Sequence, residues 1–191
     1  VNSIELDDNN NVFVGTAFGL GILNIDLSDF SNNIWNTYFE NPNPNIGLIG
    51  NDIINIQQDL TNSMWVSTTN GISILEYNNS MSQIEIEKWS YLNSANSILP
   101  SDISKTILFE NEFKTWIGTT GGLVIIENNI WDLQLFDTEG IYSNHIKKII
   151  QNPEDNNIYI GTLNGGYQVY NGFYFEAFNN SNCGLIDNTI N

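Results

Sequence analysis

Four short stretches of this chain share one pattern: Val12–Thr16 (VFVGT), Met64–Thr68 (MWVST), Thr115–Thr119 (TWIGT) and Ile158–Thr162 (IYIGT). In each stretch the second residue is aromatic, the third is Val or Ile, and a Gly or Ser precedes a final Thr. The four threonines follow one another at intervals of 52, 51 and 43 residues. Self-similarity at such a period is the signature of a repeat architecture, so the sequence indicates four copies of one unit.

The sequence around each stretch repeats as well. An alternating apolar run precedes it, a Gly turn with a second apolar run follows, and a further run carries aromatic residues such as Trp35, Trp89 and Trp131. Apolar residues at every second position, with many β-branched and aromatic side chains, predict four short strands per unit, joined by Asn, Asp and Gly turns. Four-stranded antiparallel units at this period are typical of the blades of an all-β β-propeller.

The repeats set the predicted domain organisation: one propeller domain, or part of one, with units at about 1–47, 48–97, 98–139 and 140–184. Residues 185–191 resemble the start of a further unit, because Leu185–Asn191 is similar to Leu48–Ile54. We favour four blades of a larger ring of seven or eight. The alternatives are a small closed ring of four units and the pairing of two chains into an eight-bladed ring. Open blade ends would expose apolar faces and favour self-association.

The charge balance excludes several partners. The chain has a net charge of −17, with 22 acidic residues against five lysines and no arginine. It therefore lacks the basic surface that nucleic acids or an anionic membrane surface require. No apolar stretch approaches the roughly 20 residues of a membrane-spanning helix. We expect an extracellular or periplasmic protein, because such an acidic chain would suit that setting.

The stretch Trp116–Leu123 (WIGTTGGL) resembles the two-component-regulator propeller repeat, and Trp65–Ile72, Tyr159–Gly166 and Phe13–Leu20 resemble it less closely. The leader Leu99–Ile103 (LPSDI) is also similar to that family. The resemblance covers essentially the whole chain. It implies a bacterial extracytoplasmic sensor propeller, of the kind found in hybrid two-component systems, or a secreted or surface protein.

The repeated motif residues are predicted to be structural. The glycines allow strands to approach closely, the threonines bond across the turn, and the aromatic residues fill the core between blades. These positions are Gly15, Thr16, Trp65, Thr68, Trp116, Gly118, Thr119, Gly161 and Thr162. A phosphate-binding loop is not indicated, because no Lys follows at the required spacing.

The best candidates for ligand contact are the polar residues just before each innermost strand. They are Asn51, Asp52, Ser101, Asp102, Asn144 and His145. We expect these six residues to lie at one rim of the central channel, where propellers commonly bind ligands. His145 is the only histidine, and it is placed in register with Asp52 and Asp102. A lone His cannot build a zinc site or a paired acid–base centre.

No metal or cofactor is expected. The acidic turn at residues 7–11 (DDNNN) is similar to a calcium loop in composition, but it lacks the Gly and the closing Glu of the EF-hand pattern. A solvated hairpin turn is the favoured interpretation. The outer-strand residues Trp35, Trp89 and Trp131 could stack on sugar rings, although packing is the favoured role.

The sequence therefore predicts a non-catalytic propeller that binds a ligand or a partner, either an oligosaccharide or another protein domain. A structural or assembly module of a surface or secretion complex is the alternative. A propeller lyase or glycosidase is the least favoured function, because it would need paired carboxylates that the sequence does not assign.

Overall fold

The computed structural model describes residues 1–25, 31, 33–80, 83–135 and 143–190. Within these residues, sixteen β-strands form four antiparallel sheets of four strands each. The predicted fold class, an all-β propeller with four-stranded antiparallel blades, is confirmed. The sheets belong to two compact units, Val1–Asn93 and Ser94–Asn191. The predicted boundary between the third and fourth repeats, at residues 139 and 140, lies outside the described residues, as does residue 191.

The first unit contains two blades, each with its strands in sequence order. Blade 1 consists of β1 (Ser3–Leu6), β2 (Val12–Thr16), β3 (Gly19–Asn24) and β4 (Ile34–Tyr38). Blade 2 consists of β5 (Ile53–Gln58), β6 (Met64–Thr68), β7 (Gly71–Ser80) and β8 (Gln83–Leu92). The repeated motif is the second strand of each blade, so it lies between the first and third strands.

The second unit also contains two blades with the same strand order. Blade 3 consists of β9 (Ser104–Asn111), β10 (Lys114–Thr119), β11 (Leu123–Glu127) and β12 (Ile130–Gln134). Blade 4 consists of β13 (Ile146–Gln151), β14 (Ile158–Thr162), β15 (Tyr167–Tyr170) and β16 (Phe175–Phe178). No helix long and apolar enough to cross a membrane occurs in the part of the chain that the structure describes.

Each unit has an apolar core, to which both of its blades contribute. In the first unit, Phe13 of blade 1 is fully buried in one cluster with Ile56 and Met64 of blade 2. In the second unit, Trp116 of blade 3 is fully buried with Ile149 and Ile160 of blade 4. Full burial of such side chains stabilises a fold by about 1.5–3 kcal/mol each. The aromatic position of the motif thus joins neighbouring blades within each unit.

The glycine of the motif allows the next blade to approach. A Cβ on Gly15 would lie 2.5 Å from Cγ2 of Ile53, at the start of β5. The same close approach joins Gly118 to Ile146 at 2.5 Å. Ile190 makes the corresponding contact on Gly161, at 2.6 Å. Residues near 190 therefore pack on blade 4 as the first strand of one blade packs on the preceding blade elsewhere.

The threonine of the motif stabilises the turn that follows. The Thr119 hydroxyl donates a 2.8 Å hydrogen bond to the Gly122 carbonyl and accepts a 3.1 Å bond from the Gly121 amide. Thr68 makes the equivalent bonds to Gly71 and Asn70, at 3.0 and 3.1 Å. The turn needs glycine because Gly71 has a φ of 134°, a backbone conformation that other residues rarely adopt.

Candidate functional site

The six candidate residues all lie in the segments that lead into the first strand of a blade, which we call leaders. Asn51 and Asp52 precede β5, in the first unit. Ser101 and Asp102 precede β9, and Asn144 and His145 precede β13, both in the second unit. These residues therefore form two groups, one in each unit.

Two of the candidates hold the preceding loop in place. Oδ1 of Asn51 accepts a 2.7 Å hydrogen bond from the Glu40 amide. Oδ1 of Asp102 accepts a bond of the same length from the Ser94 amide. Oδ1 of Asn188 accepts the corresponding bond from the Asn180 amide, again at 2.7 Å. These side chains close a loop between blades, and that role accounts for a polar residue at this position.

Serine side chains organise the next part of the leader. The Ser101 hydroxyl lies 2.7 Å from the Thr120 hydroxyl and accepts a 3.2 Å bond from the Ile103 amide. In the leader of β13, the Ser143 hydroxyl donates a 2.7 Å bond to the Leu163 carbonyl. Ser101 therefore has a counterpart in Ser143, and both link a leader to the turn that follows a motif threonine.

The backbone contacts correct the predicted register of one leader. The carbonyl of Asp52 accepts a bond from the Thr69 amide at 3.1 Å, and the carbonyl of His145 accepts one from the Leu163 amide at 2.9 Å. In blade 3 the Thr120 amide donates the corresponding bond to the carbonyl of Ile103, at 3.1 Å. His145 therefore corresponds to Asp52 and Ile103. The sequence alignment of His145 with Asp102 was wrong by one residue, because the leaders contain no landmark that fixes their register.

The side chains of two candidates make no hydrogen bond among the described residues. Asp52 is exposed, and no hydrogen bond to its side chain occurs among the described residues. His145 is half-buried, and its Nε2 atom is buried without a hydrogen-bond partner in the described part of the chain. Burial lowers the pKa of His145 below its ordinary value, and the ammonium groups of Lys147 and Lys105 lower it further.

The sequence analysis missed Lys105 and Lys147. Both lie on first strands, Lys105 on β9 and Lys147 on β13. The available signal was the distribution of the lysines: three of the five, these two and Lys148, lie on these first strands. In a chain of net charge −17, such a concentration of positive charge stands out.

The acidic turn between β1 and β2 is held by its own hydrogen bonds. Oδ1 of Asp7 accepts bonds from the amides of Asn9 and Asn11, at 2.9 and 2.8 Å. Oδ2 of Asp7 accepts bonds from the Asn11 side-chain amide at 2.7 Å and from the Tyr77 hydroxyl at 3.1 Å. No group of three or more His, Cys, Asp or Glu suited to a metal ion occurs in the described ranges.

A groove of about 440 Å³ lies beside the outer strands of blade 3. Trp131, Tyr170 and Phe175 line it together with Lys114 and Gln134. The Lys114 ammonium lies 3.6 Å from a carboxylate oxygen of Glu127 and 5.2 Å from the centre of the Trp116 ring. This lysine is therefore already paired.

Trp89, another of the outer-strand tryptophans, is mostly buried, with its ring centre 5.6 Å from that of Tyr38.

Comparison with known proteins gives likenesses of fold. The chain superposes on the extracellular domain of the hybrid two-component system BT4673 from B. thetaiotaomicron with a TM-score of 0.65 and 20% identity, covering 93% of this chain and 24% of that one. PorZ, a surface component of the type-IX secretion system of Porphyromonas gingivalis, gives a TM-score of 0.66 and 15% identity, with 98% and 28% covered. Neither a protein-family model nor any curated protein matches the sequence.

A third likeness is to virginiamycin B lyase from Staphylococcus aureus, with a TM-score of 0.58, 13% identity, and 93% and 54% of the two chains covered. All three identities are below the level at which a shared activity follows, so they establish a shared β-propeller architecture. The chain spans about a quarter of the length of the BT4673 extracellular domain and of the PorZ chain.

Proposed function

We propose that this chain is a non-catalytic binding module of an extracytoplasmic sensor, built from two-component-regulator propeller repeats. The observation that carries the proposal is the likeness to the extracellular domain of a hybrid two-component system over 93% of the chain. The motif at Trp116–Leu123 supports it, because its resemblance to that family was apparent from the residues alone. On this proposal the chain lies in the periplasm or at the cell surface.

The ligand of such a module would contact a leader side chain of the second unit that makes no hydrogen bond within the fold. Asp102 binds a loop amide, whereas Nε2 of His145 has no hydrogen-bond partner in the described residues. Polar groups of this kind fix the orientation of a ligand in a binding site. We propose an oligosaccharide as the ligand.

The experiment is a glycan array followed by calorimetry of each hit. Saturable binding of one oligosaccharide, weakened by His145→Ala, is the expected result. Asp102→Ala is the matched control, because it should lower stability and leave the affinity of the folded protein within about twofold. The proposal is rejected if no saccharide binds saturably, or if a bound saccharide is cleaved by the chain.

The alternative is an assembly module, which the likeness to PorZ favours at the level of fold. A pull-down from a bacterial surface extract distinguishes the two functions. A stoichiometric protein complex that forms without any saccharide, together with an empty glycan array, supports the assembly role.

A further inference from the structure

The lysines of this chain fall into two groups with different surroundings. Lys88 forms an ion pair with Glu76, and Lys114 lies within 4.0 Å of carboxylate oxygens of Glu110 and Glu127. Lys105, Lys147 and Lys148 have no carboxylate oxygen within 4.0 Å among the described residues. In a chain with 22 acidic residues and five lysines, three lysines without an acidic partner are unexpected. Lys105 and Lys147 are half-buried, whereas Lys148 is exposed.

Lys105 and Lys147 occupy equivalent positions on neighbouring strands. In β9 the pairing with β10 shifts register between Ser104 and Thr106, which leaves Lys105 as the extra residue of a bulge. In β13 the pairing with β14 shifts between Ile146 and Lys148, which leaves Lys147 in the same position. Blade 2 has the same bulge, with Ile54 as the extra residue, so the bulge belongs to the repeat and re-aims a lysine in blades 3 and 4.

The two strands are in direct contact. The Thr106 hydroxyl accepts a 3.3 Å hydrogen bond from the Ile149 amide, so the residue after Lys105 is tied to β13 two residues beyond Lys147. Both bulges therefore lie at the same ends of adjacent strands. His145 immediately precedes β13 at that end, and burial, together with Lys147 and Lys105, lowers the pKa of its imidazole.

His145 adds a directional group to this positive charge. Its Nε2 atom is buried and has no hydrogen-bond partner in the described part of the chain. Because Nε2 has no exposed surface, a ligand atom can bond to it only after the imidazole ring turns. The bond would then recover the cost of leaving a buried ring nitrogen without a partner. A neutral imidazole can supply one N–H donor, while each lysine supplies an ammonium group.

We propose that Lys105, Lys147 and His145 form an anion-binding site, and that the group it takes is the carboxylate or sulfate of an acidic saccharide. Two ammonium groups beside an unpaired imidazole give the charge and the hydrogen-bond donors that such a group requires. The saccharide part of this inference rests on the proposed function. The anion part rests on the three side chains alone.

The first experiment tests the anion site without any saccharide. Because His145 is the only histidine, its ring signals in a proton–nitrogen NMR spectrum are unique. Titration with sodium sulfate should shift these signals saturably, and sodium chloride at matched ionic strength should not. In Lys105→Gln/Lys147→Gln the apparent affinity for sulfate should fall roughly tenfold, because two charge-assisted contacts are lost.

Lys148→Gln is the matched control, since Lys148 lies next to Lys147 but is a paired residue of the strand, opposite Gly161. It removes one positive charge, as Lys147→Gln alone does, and should change the affinity less than about 1.5-fold, through the general field alone. The anion site is refuted if sulfate gives no saturable shift, or if Lys147→Gln and Lys148→Gln lose the same affinity.

The second experiment tests the saccharide. Oligogalacturonate, a sulfated oligosaccharide and a neutral galactan of equal length are compared by calorimetry, before and after the double substitution. Binding of either acidic saccharide, lost in the double variant, supports the whole inference and identifies the anionic group. Binding of the neutral galactan with equal affinity supports the proposed function and refutes the acidic ligand. Sulfate binding with no saccharide binding retains the anion site and refutes the saccharide.

Discussion

The indole Nε1 of Trp116 donates a 2.7 Å hydrogen bond to Oε2 of Glu110, across the turn between β9 and β10. Blade 2 repeats this contact, because Nε1 of Trp65 bonds to Oδ2 of Asp59 at 2.9 Å. In both blades an acidic residue thus satisfies the only polar atom of the motif tryptophan side chain. In blade 1, where Phe13 has no N–H, the turn carboxylate of Asp7 bonds to other groups.

Glu110→Ala is expected to destabilise the second unit. The substitution leaves the Trp116 indole N–H without its acceptor inside a fully buried environment, which costs about 1–3 kcal/mol. Glu110→Gln keeps an oxygen acceptor and should cost less. Urea denaturation followed by tryptophan fluorescence measures both changes as a shift of the midpoint.

Glu112→Gln is the control for this experiment, because Glu112 is exposed in the same turn and should leave stability unchanged within about 0.5 kcal/mol. Equal midpoints for Glu110→Ala and the control would contradict a stabilising role of the Glu110 bond.

Thr119→Val should destabilise more than Thr16→Val. Both substitutions remove a hydroxyl that bonds a turn carbonyl and a turn amide, but Thr119 is fully buried and Thr16 is half-buried. Water can replace the lost partner at the exposed Phe18 amide more easily than at the Gly121 amide. We expect a loss of about 1–2 kcal/mol for Thr119→Val and no more than half of that for Thr16→Val, from urea midpoints. Equal losses would show that burial of the turn is unimportant.

Gly15→Ala should create a steric conflict with the next blade. The added Cβ would lie 2.5 Å from Cγ2 of Ile53, and overpacking of this kind costs roughly 1–3 kcal/mol. Ile53→Ala removes the conflicting methyl group at its own cost in buried surface. In the Ile53→Ala background, Gly15→Ala should therefore cost less, although Cβ of residue 53 at 3.2 Å and Cδ1 of Ile56 at 3.1 Å remain close. A double-mutant cycle measures the coupling, and an unchanged penalty in both backgrounds would exclude this contact as the reason for glycine.

The blades could be predicted from the sequence because their pattern is local. The alternation of apolar residues in Met64–Thr68 and the glycine turn at Gly71 are dictated by strand and turn geometry within a few residues. The leaders could not be aligned in this way. Asp102 and Asn51 share a role only because each binds the amide of a preceding loop, eight and eleven residues away. Such contacts depend on how the chain returns from the outer strand.

The lysine pair escaped the sequence analysis for a related reason. Lys105 lies between Ser104 and Thr106, and Lys147 between Ile146 and Lys148, so the two share no sequence neighbour. Their equivalence comes from a bulge in each strand, and a bulge is fixed by hydrogen bonding to the adjacent strand. A period-two pattern cannot reveal it, because the bulge itself interrupts the period.

The His145 imidazole should titrate below its ordinary value of about 6.5. Burial disfavours the charged ring, and the ammonium groups of Lys147 and Lys105 disfavour it further, so the pKa is lowered in the folded state. The unfolded chain then binds more protons between the two pKa values. The contribution of His145 to the free energy of unfolding is therefore complete above about pH 6.5 and is lost as the pH falls through the pKa of the folded state.

A pH titration of the single histidine by NMR measures this directly. Lys147→Gln removes one of the two ammonium groups that act on the ring, so the pKa of His145 should rise towards its ordinary value. Lys88→Gln should leave it unchanged, because Lys88 is paired with Glu76 in the other unit. A titration midpoint at or above 6.5 in the unsubstituted protein would mean that the ring is neither desolvated nor under the influence of the lysines. An equal shift in both variants would mean that only net charge acts on it.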